Sequence, residues 1–192
     1  DALQANLDGR LNGGPLQFHL TGIPPAGTAA ADLDPTDWST WDLALTLNAG
    51  PLDLPTFDTA PAFVTSPRLS HAMRSFFRDY RARGPVTISV SAARPGAAAG
   101  AEPAAWQMEG ELEAHGLTAE YFRFPLPVED VRGGFRLVDG GFELQNLMAR
   151  HGSGIIRGSG RVHSTRSFTG FELQFRGTNI PLDHALYEAL PR

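Results

Sequence analysis

Apolar and polar residues alternate with a period of two along most of this chain, and glycine-rich turns separate the alternating runs. The clearest example is residues 131–162, where three such runs follow one another. Successive side chains of an extended strand point to opposite faces, so this period produces strands with one apolar and one polar face. Asn12-Gly13 and Asp139-Gly140 are typical hairpin turns between them. The pattern therefore predicts a mostly β, antiparallel fold.

About ten runs have this strand pattern, and His115-Gly116 is predicted as one of the turns that join them. Glu109, Glu111 and Glu113 alternate with apolar residues along one run and are expected to mark the solvent face. The segments 23–37, 51–67 and 94–105 are rich in proline, glycine or alanine and are predicted to be irregular.

Two helices are predicted among the strands. Apolar residues recur at helical spacing between Leu69 and Tyr80, which predicts an amphipathic helix over 67–83. A second helix is predicted over 182–190, truncated by the end of the sequence. It opens with Asn179-Ile-Pro-Leu-Asp183.

The two helix starts resemble each other, because Leu69-Ser-His-Ala-Met73 is echoed by Leu182-Asp-His-Ala-Leu186. The hairpin Arg10–Gly14 is likewise echoed by Arg136–Gly141, in the same order along the chain. We therefore expect two β-repeat units, 1–84 and 85–192, each ending in its helix and joined in one continuous sheet.

Composition excludes several functional classes. The chain of 192 residues carries a net charge of −5, and all 16 basic residues are arginines without a cluster, which argues against nucleic-acid binding. It contains no cysteine, so disulfides and thiolate metal sites are impossible.

Motifs for catalysis are missing from the sequence. The glycine-rich segment Gly152–Gly160 lacks the lysine and the following helix of a phosphate-binding loop. Asp32, Asp34 and Asp37 lie close enough to suggest a weak calcium loop, but solvated carboxylates explain them more simply. We expect no enzymatic activity, no cofactor and no metal site.

The second half of the chain resembles the AsmA-like proteins of bacterial envelopes, which include TamB and relatives of the bridge-like lipid transfer proteins. Several segments carry the resemblance: Phe124-Pro125-Leu126 before Val131-Arg-Gly-Gly-Phe135, Phe142–Ala149, the Gly-spaced strand Gly158–Val162, and Asn179–Asp183 opening a helix that ends at Ala189-Leu-Pro191. The likeness is best from Trp106 onward.

The resemblance implies a curved, taco-like sheet whose open groove carries phospholipid acyl chains between membranes and supports outer-membrane maintenance. It places the protein in the periplasm or cell envelope. The parent protein would be anchored in the inner membrane and would meet inner- and outer-membrane components.

Sheet dimensions favour an open groove as well. Ten strands at about 4.8 Å spacing make a sheet about 48 Å wide, whereas one helix covers a strip of about 10 to 12 Å. Two helices cannot cover such a face, so it must close on itself or hold an apolar ligand.

The candidate groove residues are the apolar members of the alternating runs. They are Leu7, Phe18, Leu43, Leu45, Ile88, Met108, Leu112, Phe135, Leu144, Val162, Phe171, Leu173 and Phe175. The alternative is a structural β-sandwich or adhesin-like module with a closed core and no lipid ligand. In that alternative the core would contain Trp41, Trp106, Phe18, Phe135, Phe171 and Phe175.

Overall fold

The computed structural model describes residues 2–11, 13–25, 38–66, 71–97, 101–102, 104–138, 141–164 and 169–190. Nine strands form one open sheet in chain order: β1 (Leu3–Leu11), β2 (Gly14–Ile23), β3 (Asp42–Asp53), β4 (Pro85–Arg94), β5 (Gln107–Tyr121), β6 (Phe124–Val138), β7 (Gly141–His151), β8 (Gly154–Ser164) and β9 (Thr169–Thr178). Every neighbouring pair is antiparallel. The predicted mostly β, antiparallel architecture is confirmed.

The sequence pattern predicts about ten strands, and the described residues form nine. β6 runs without a break from Phe124 to Val138. Register shifts between β5 and β6 allow this long pair to bend without ending.

The turn predicted at His115-Gly116 was wrong. Both residues lie inside β5, where the register with β6 shifts between His115 and Leu117. Gly116 has a φ of +101° there. One type of bulge takes a glycine with positive φ, as several turn types do, so the glycine has the same sequence signature in both. The actual turn is Phe122-Arg123, since Tyr121 pairs with Phe124.

The helices are short: α1 (Pro61–Val64), α2 (His71–Tyr80) and α3 (His184–Ala189), with a 3₁₀ turn at Trp38–Thr40. The predicted helix 67–83 is shorter than expected at its C-terminus, because Arg81 adopts a φ of +43° directly after α2. Residues 67–70 lie outside the described residues. Within the segment predicted to be irregular, β3 extends to Asp53 and α1 forms.

The sheet is continuous across the predicted boundary between repeat units. β3 lies before residue 84 and β4 after it, and the two strands pair directly. The division into units 1–84 and 85–192 stays a prediction. The predicted loop residues 26–37, with their three aspartates, and the turn residues Asn12, Asp139 and Gly140 lie outside the described residues.

The hydrophobic core sits at one end of the sheet. Leu52 lies near the end of β3, Val86 near the start of β4 and Leu117 in the second half of β5, and all three are almost completely buried. Phe77 of α2 joins this cluster, and α2 packs beside β5. We call this the helix-covered end of the sheet.

The last helix is fastened to the same end by a buried histidine. His151 hydrogen-bonds with the Pro127 carbonyl through Nδ1 at 2.8 Å and with the Asp183 carboxylate through Nε2 at 3.1 Å. Asp183 is also the N-cap of α3 and accepts a 2.9 Å bond from the Leu186 N–H. The Leu186 N–H, aided by His151, lowers the pKa of Asp183.

Leu117→Ala should destabilise the protein by about 2 to 5 kcal/mol, because it leaves a cavity in the core at the helix-covered end. Leu182→Ala is the matched control, since Leu182 is 94% exposed and its truncation should cost at most about 0.5 kcal/mol. Urea unfolding measures both. Equal losses would show that the core does not lie where the sheet and α2 meet.

Candidate functional site

Cross-strand register gathers the apolar residues of all nine strands on one face. Residues directly opposite each other in a sheet lie on the same face. One continuous row crosses the sheet through Leu7, Phe18, Leu47, Val90, Gly110, Leu137, Phe142, Val162 and Phe171. The next row crosses through Gly9, Leu16, Ala49, Ile88, Leu112, Phe135, Leu144, Gly160 and Leu173. We call this surface the apolar face.

The remaining groove candidates belong to the same face. Leu43 and Leu45 alternate with Leu47 along β3, Met108 pairs with Ala92, and Phe175 pairs with Gly158. The structure therefore places all thirteen candidates on the apolar face. Phe171 is assigned by its backbone pairing, since its side chain lies outside the described part. Their role in lipid binding stays a prediction.

Burial divides these candidates into three groups. Leu43, Leu144 and Val162 are buried, whereas Leu7, Met108 and Phe175 are 55%, 48% and 60% exposed. A third group is half-buried: Phe18, Leu45, Ile88, Leu112, Phe135 and Leu173. The apolar face is thus only partly covered by the described residues, which the sequence pattern alone did not show.

At the end opposite the helices, two tryptophans cover one corner. Trp41 is buried and its ring lies 5.5 Å from that of Trp38. A Cβ at Gly22 would come within 2.9 Å of the Trp41 ring, so the glycine allows this close packing. Trp41 lies just before β3 and packs over Gly22. The tryptophans reach Leu43 and leave Met108 and Leu137 of β5 and β6 uncovered.

The opposite surface of the sheet, which we call the polar face, has no comparable apolar row. The register aligns Asp8, Gln17, Asn48, Ser89, Glu111, Arg136, Glu143, Arg161 and Glu172 across all nine strands. Glu109, Glu111 and Glu113 are exposed, which confirms the predicted solvent face.

The strongest ionic contacts of the polar face converge on Glu143. Its carboxylate accepts hydrogen bonds from Arg136, with Nε at 3.1 Å, and from Arg161 on the next strand. These two guanidinium groups, Arg161 first, lower the pKa of Glu143 from the usual 4.5 to about 2. The cluster joins β6, β7 and β8, and within it each charged residue lies directly opposite one of the other sign.

No group of three histidine, aspartate or glutamate side chains among the described residues is arranged to hold a metal ion. None of the described helices has the length and apolar character needed to cross a membrane. The surface that stands out is the apolar face.

Comparisons with known protein families, characterised proteins and solved structures find no match to this chain. The resemblance to AsmA-like proteins therefore stays a prediction.

Glu143→Gln should lower the free energy of unfolding at neutral pH, and this deficit should shrink as the medium becomes acidic. The pKa of Glu143 is about 2 in the folded protein and about 4.5 in the unfolded chain. The stabilisation from the carboxylate is complete above the unfolded value and is lost as pH falls through the folded value. Urea unfolding of both proteins between about pH 7 and pH 2 measures the difference. A deficit that stays constant over this range would contradict the ion-pair assignment.

Proposed function

We propose that this chain is a segment of an AsmA-like envelope protein whose apolar face binds the acyl chains of phospholipids. In this proposal the sheet curves into a groove and passes lipid between membranes through the periplasm, without covalent chemistry. The observation that carries the proposal is an apolar surface, continuous across nine strands, that the described helices cover at one end only.

Exposed apolar residues make this surface costly to leave in water. Each large aliphatic or aromatic side chain gains about 1.5 to 3 kcal/mol when it is fully buried. Met108, Leu137 and Phe175 remain exposed on the apolar face, at positions distributed from β5 to β9. Exposed apolar patches mark binding sites in soluble proteins when they are contiguous. In this proposal a bound acyl chain covers the exposed apolar residues.

The shape of the surface suits a hydrocarbon chain. The two apolar rows lie two residues apart along the strands, which is about 7 Å, and run across the sheet over strands spaced about 4.8 Å apart. Half of a bilayer core is about 15 Å thick, so one acyl chain extends over about three strands. Apolar contacts need no fixed donors or acceptors, so a row of leucine, valine and phenylalanine side chains suffices to hold it.

A closed sandwich is the competing architecture, and the buried Trp41 is consistent with it. A sandwich needs two sheets packed face to face. All nine described strands belong to one sheet. Trp106, which this alternative places in a core, is 42% exposed.

Met108→Glu should abolish lipid binding while the protein stays folded, because it puts a charge on an exposed part of the apolar face. Gln107→Glu is the matched control: it adds the same charge one residue away on the polar face, where Gln107 is already exposed. The assay is extraction of a fluorescent-acyl phosphatidylethanolamine from vesicles, with circular dichroism as the check on folding.

The proposal expects wild-type protein and Gln107→Glu to extract the lipid to a similar extent, and Met108→Glu to extract at least about tenfold less, a difference of about 1.4 kcal/mol. Equal extraction by both variants would contradict binding at the apolar face. Unfolding of Met108→Glu alone would instead support the closed core.

A further inference from the structure

An arginine lies on the apolar face, near the end opposite the helices. Side chains two residues apart along a strand share a face, so Arg94 lies on the same face as Val90 and Ala92 of β4. Arg94 pairs with the buried Leu43 of β3. Ala92 pairs with Met108 of β5, which is 48% exposed. A guanidinium group therefore stands beside the uncovered part of the apolar face.

Two contacts hold the guanidinium group of Arg94 at this corner of the sheet. Its Nη2 donates a hydrogen bond to the backbone carbonyl of Trp38. Its Cζ lies 5.3 Å from the ring centroid of Trp106, and a cation is attracted to the face of such a ring. The charge is thus fixed in position by a carbonyl and an aromatic ring.

Neither contact neutralises the charge of Arg94. Arg94 takes part in none of the ion pairs found among the described residues. Its Nε is buried and has no acceptor there, and a buried donor without an acceptor costs free energy. The N–H groups of a guanidinium match the oxygens of a phosphate in spacing and charge. A phosphate would therefore supply both the missing acceptor and the missing negative charge.

We propose that Arg94 binds the phosphate group of a phospholipid whose acyl chain lies on the apolar face beside it. This inference rests on the proposed function and adds the position and chemistry of the headgroup. From Arg94 the acyl chain crosses β4, β5 and β6, past Met108 and Leu137, which are 48% and 37% exposed. Three strands at about 4.8 Å spacing span about 14 Å, close to half the thickness of a bilayer core.

The ring of Trp106 is the part that moves when the phosphate binds. Nε of Arg94 is out of contact with solvent, and the Trp106 ring lies over the same guanidinium group. Trp106 is 42% exposed and precedes β5, outside any strand. Rotation of this ring therefore uncovers the guanidinium group without breaking a pair of the sheet.

The phosphate separates the ligand proposed for Arg94 from other lipids. A diacylglycerol carries the same acyl chains as a phospholipid, so it makes the same apolar contacts. It has no negative charge, so it gives the guanidinium group no counter-ion. Binding of the two lipids must therefore respond differently to the loss of Arg94.

Arg94→Gln should lower extraction of a fluorescent-acyl phosphatidylethanolamine from vesicles by roughly tenfold or more, because it removes hydrogen bonds to a charged group. Extraction of a diacylglycerol with the same fluorescent chain should not change. Arg157→Gln is the matched control: it removes the same charge from an exposed position on the polar face, and it should extract both lipids as the wild type does. Arg94→Lys keeps the charge and should lose less phosphatidylethanolamine extraction than Arg94→Gln.

A selective loss of phosphatidylethanolamine extraction supports the proposal. Undiminished extraction by Arg94→Gln, or an equal loss of both lipids, would overturn the role of Arg94 in phosphate binding and leave the proposed function standing. Wild-type protein that extracts neither lipid would contradict the proposed function, and this inference with it.

Tryptophan fluorescence tests the same site in the wild-type protein. A short-chain phosphatidylethanolamine, present as monomers, should shift the emission maximum because the Trp106 ring leaves the guanidinium group. Trp106→Phe should remove this shift. Inorganic phosphate at the same concentration should have no effect, since it lacks the acyl chains that hold the ligand on the apolar face. An equal shift with inorganic phosphate would overturn the lipid as the source of the phosphate, and no shift with either would overturn the proposed site.

Discussion

The structure depends on one constraint: a nine-stranded sheet whose register places apolar side chains on a single face. Burying that face drives folding. The described helices reach only one end of it, where Leu117 and Val86 become inaccessible. Toward the other end the same apolar rows continue past Met108 and Leu137, whose side chains are only partly covered. Folding and binding therefore use one continuous surface.

The polar face maintains this arrangement. A slip of one residue between two strands would move every apolar side chain to the opposite side, so the register must be defined. The bonds from Arg136 and Arg161 to Glu143 join β6, β7 and β8, and Ser89 donates to Asn48 at 2.8 Å across β3 and β4. Polar pairs on one surface thereby help to keep the two apolar rows on the other.

Much of this could be predicted from the sequence, because the period of two defines both strands and faces. All thirteen candidates on the apolar face were identified in that way. What could not be predicted depends on contacts between distant residues. Gly116 has the sequence signature of a turn but lies in a bulge. Leu144 is buried whereas Met108 is exposed, and this difference depends on which residues pack over each end of the apolar face. Neither propensity nor spacing contains that information.

Native mass spectrometry of the wild-type protein purified from cells can show whether the apolar face binds lipid. We expect a population with one or more phospholipid masses bound, released when the protein is denatured. A species that carries no lipid even after incubation with phosphatidylethanolamine vesicles, and whose Met108 and Leu137 side chains resist chemical labelling, would contradict it. Such a result would show that the apolar face is closed by the protein itself.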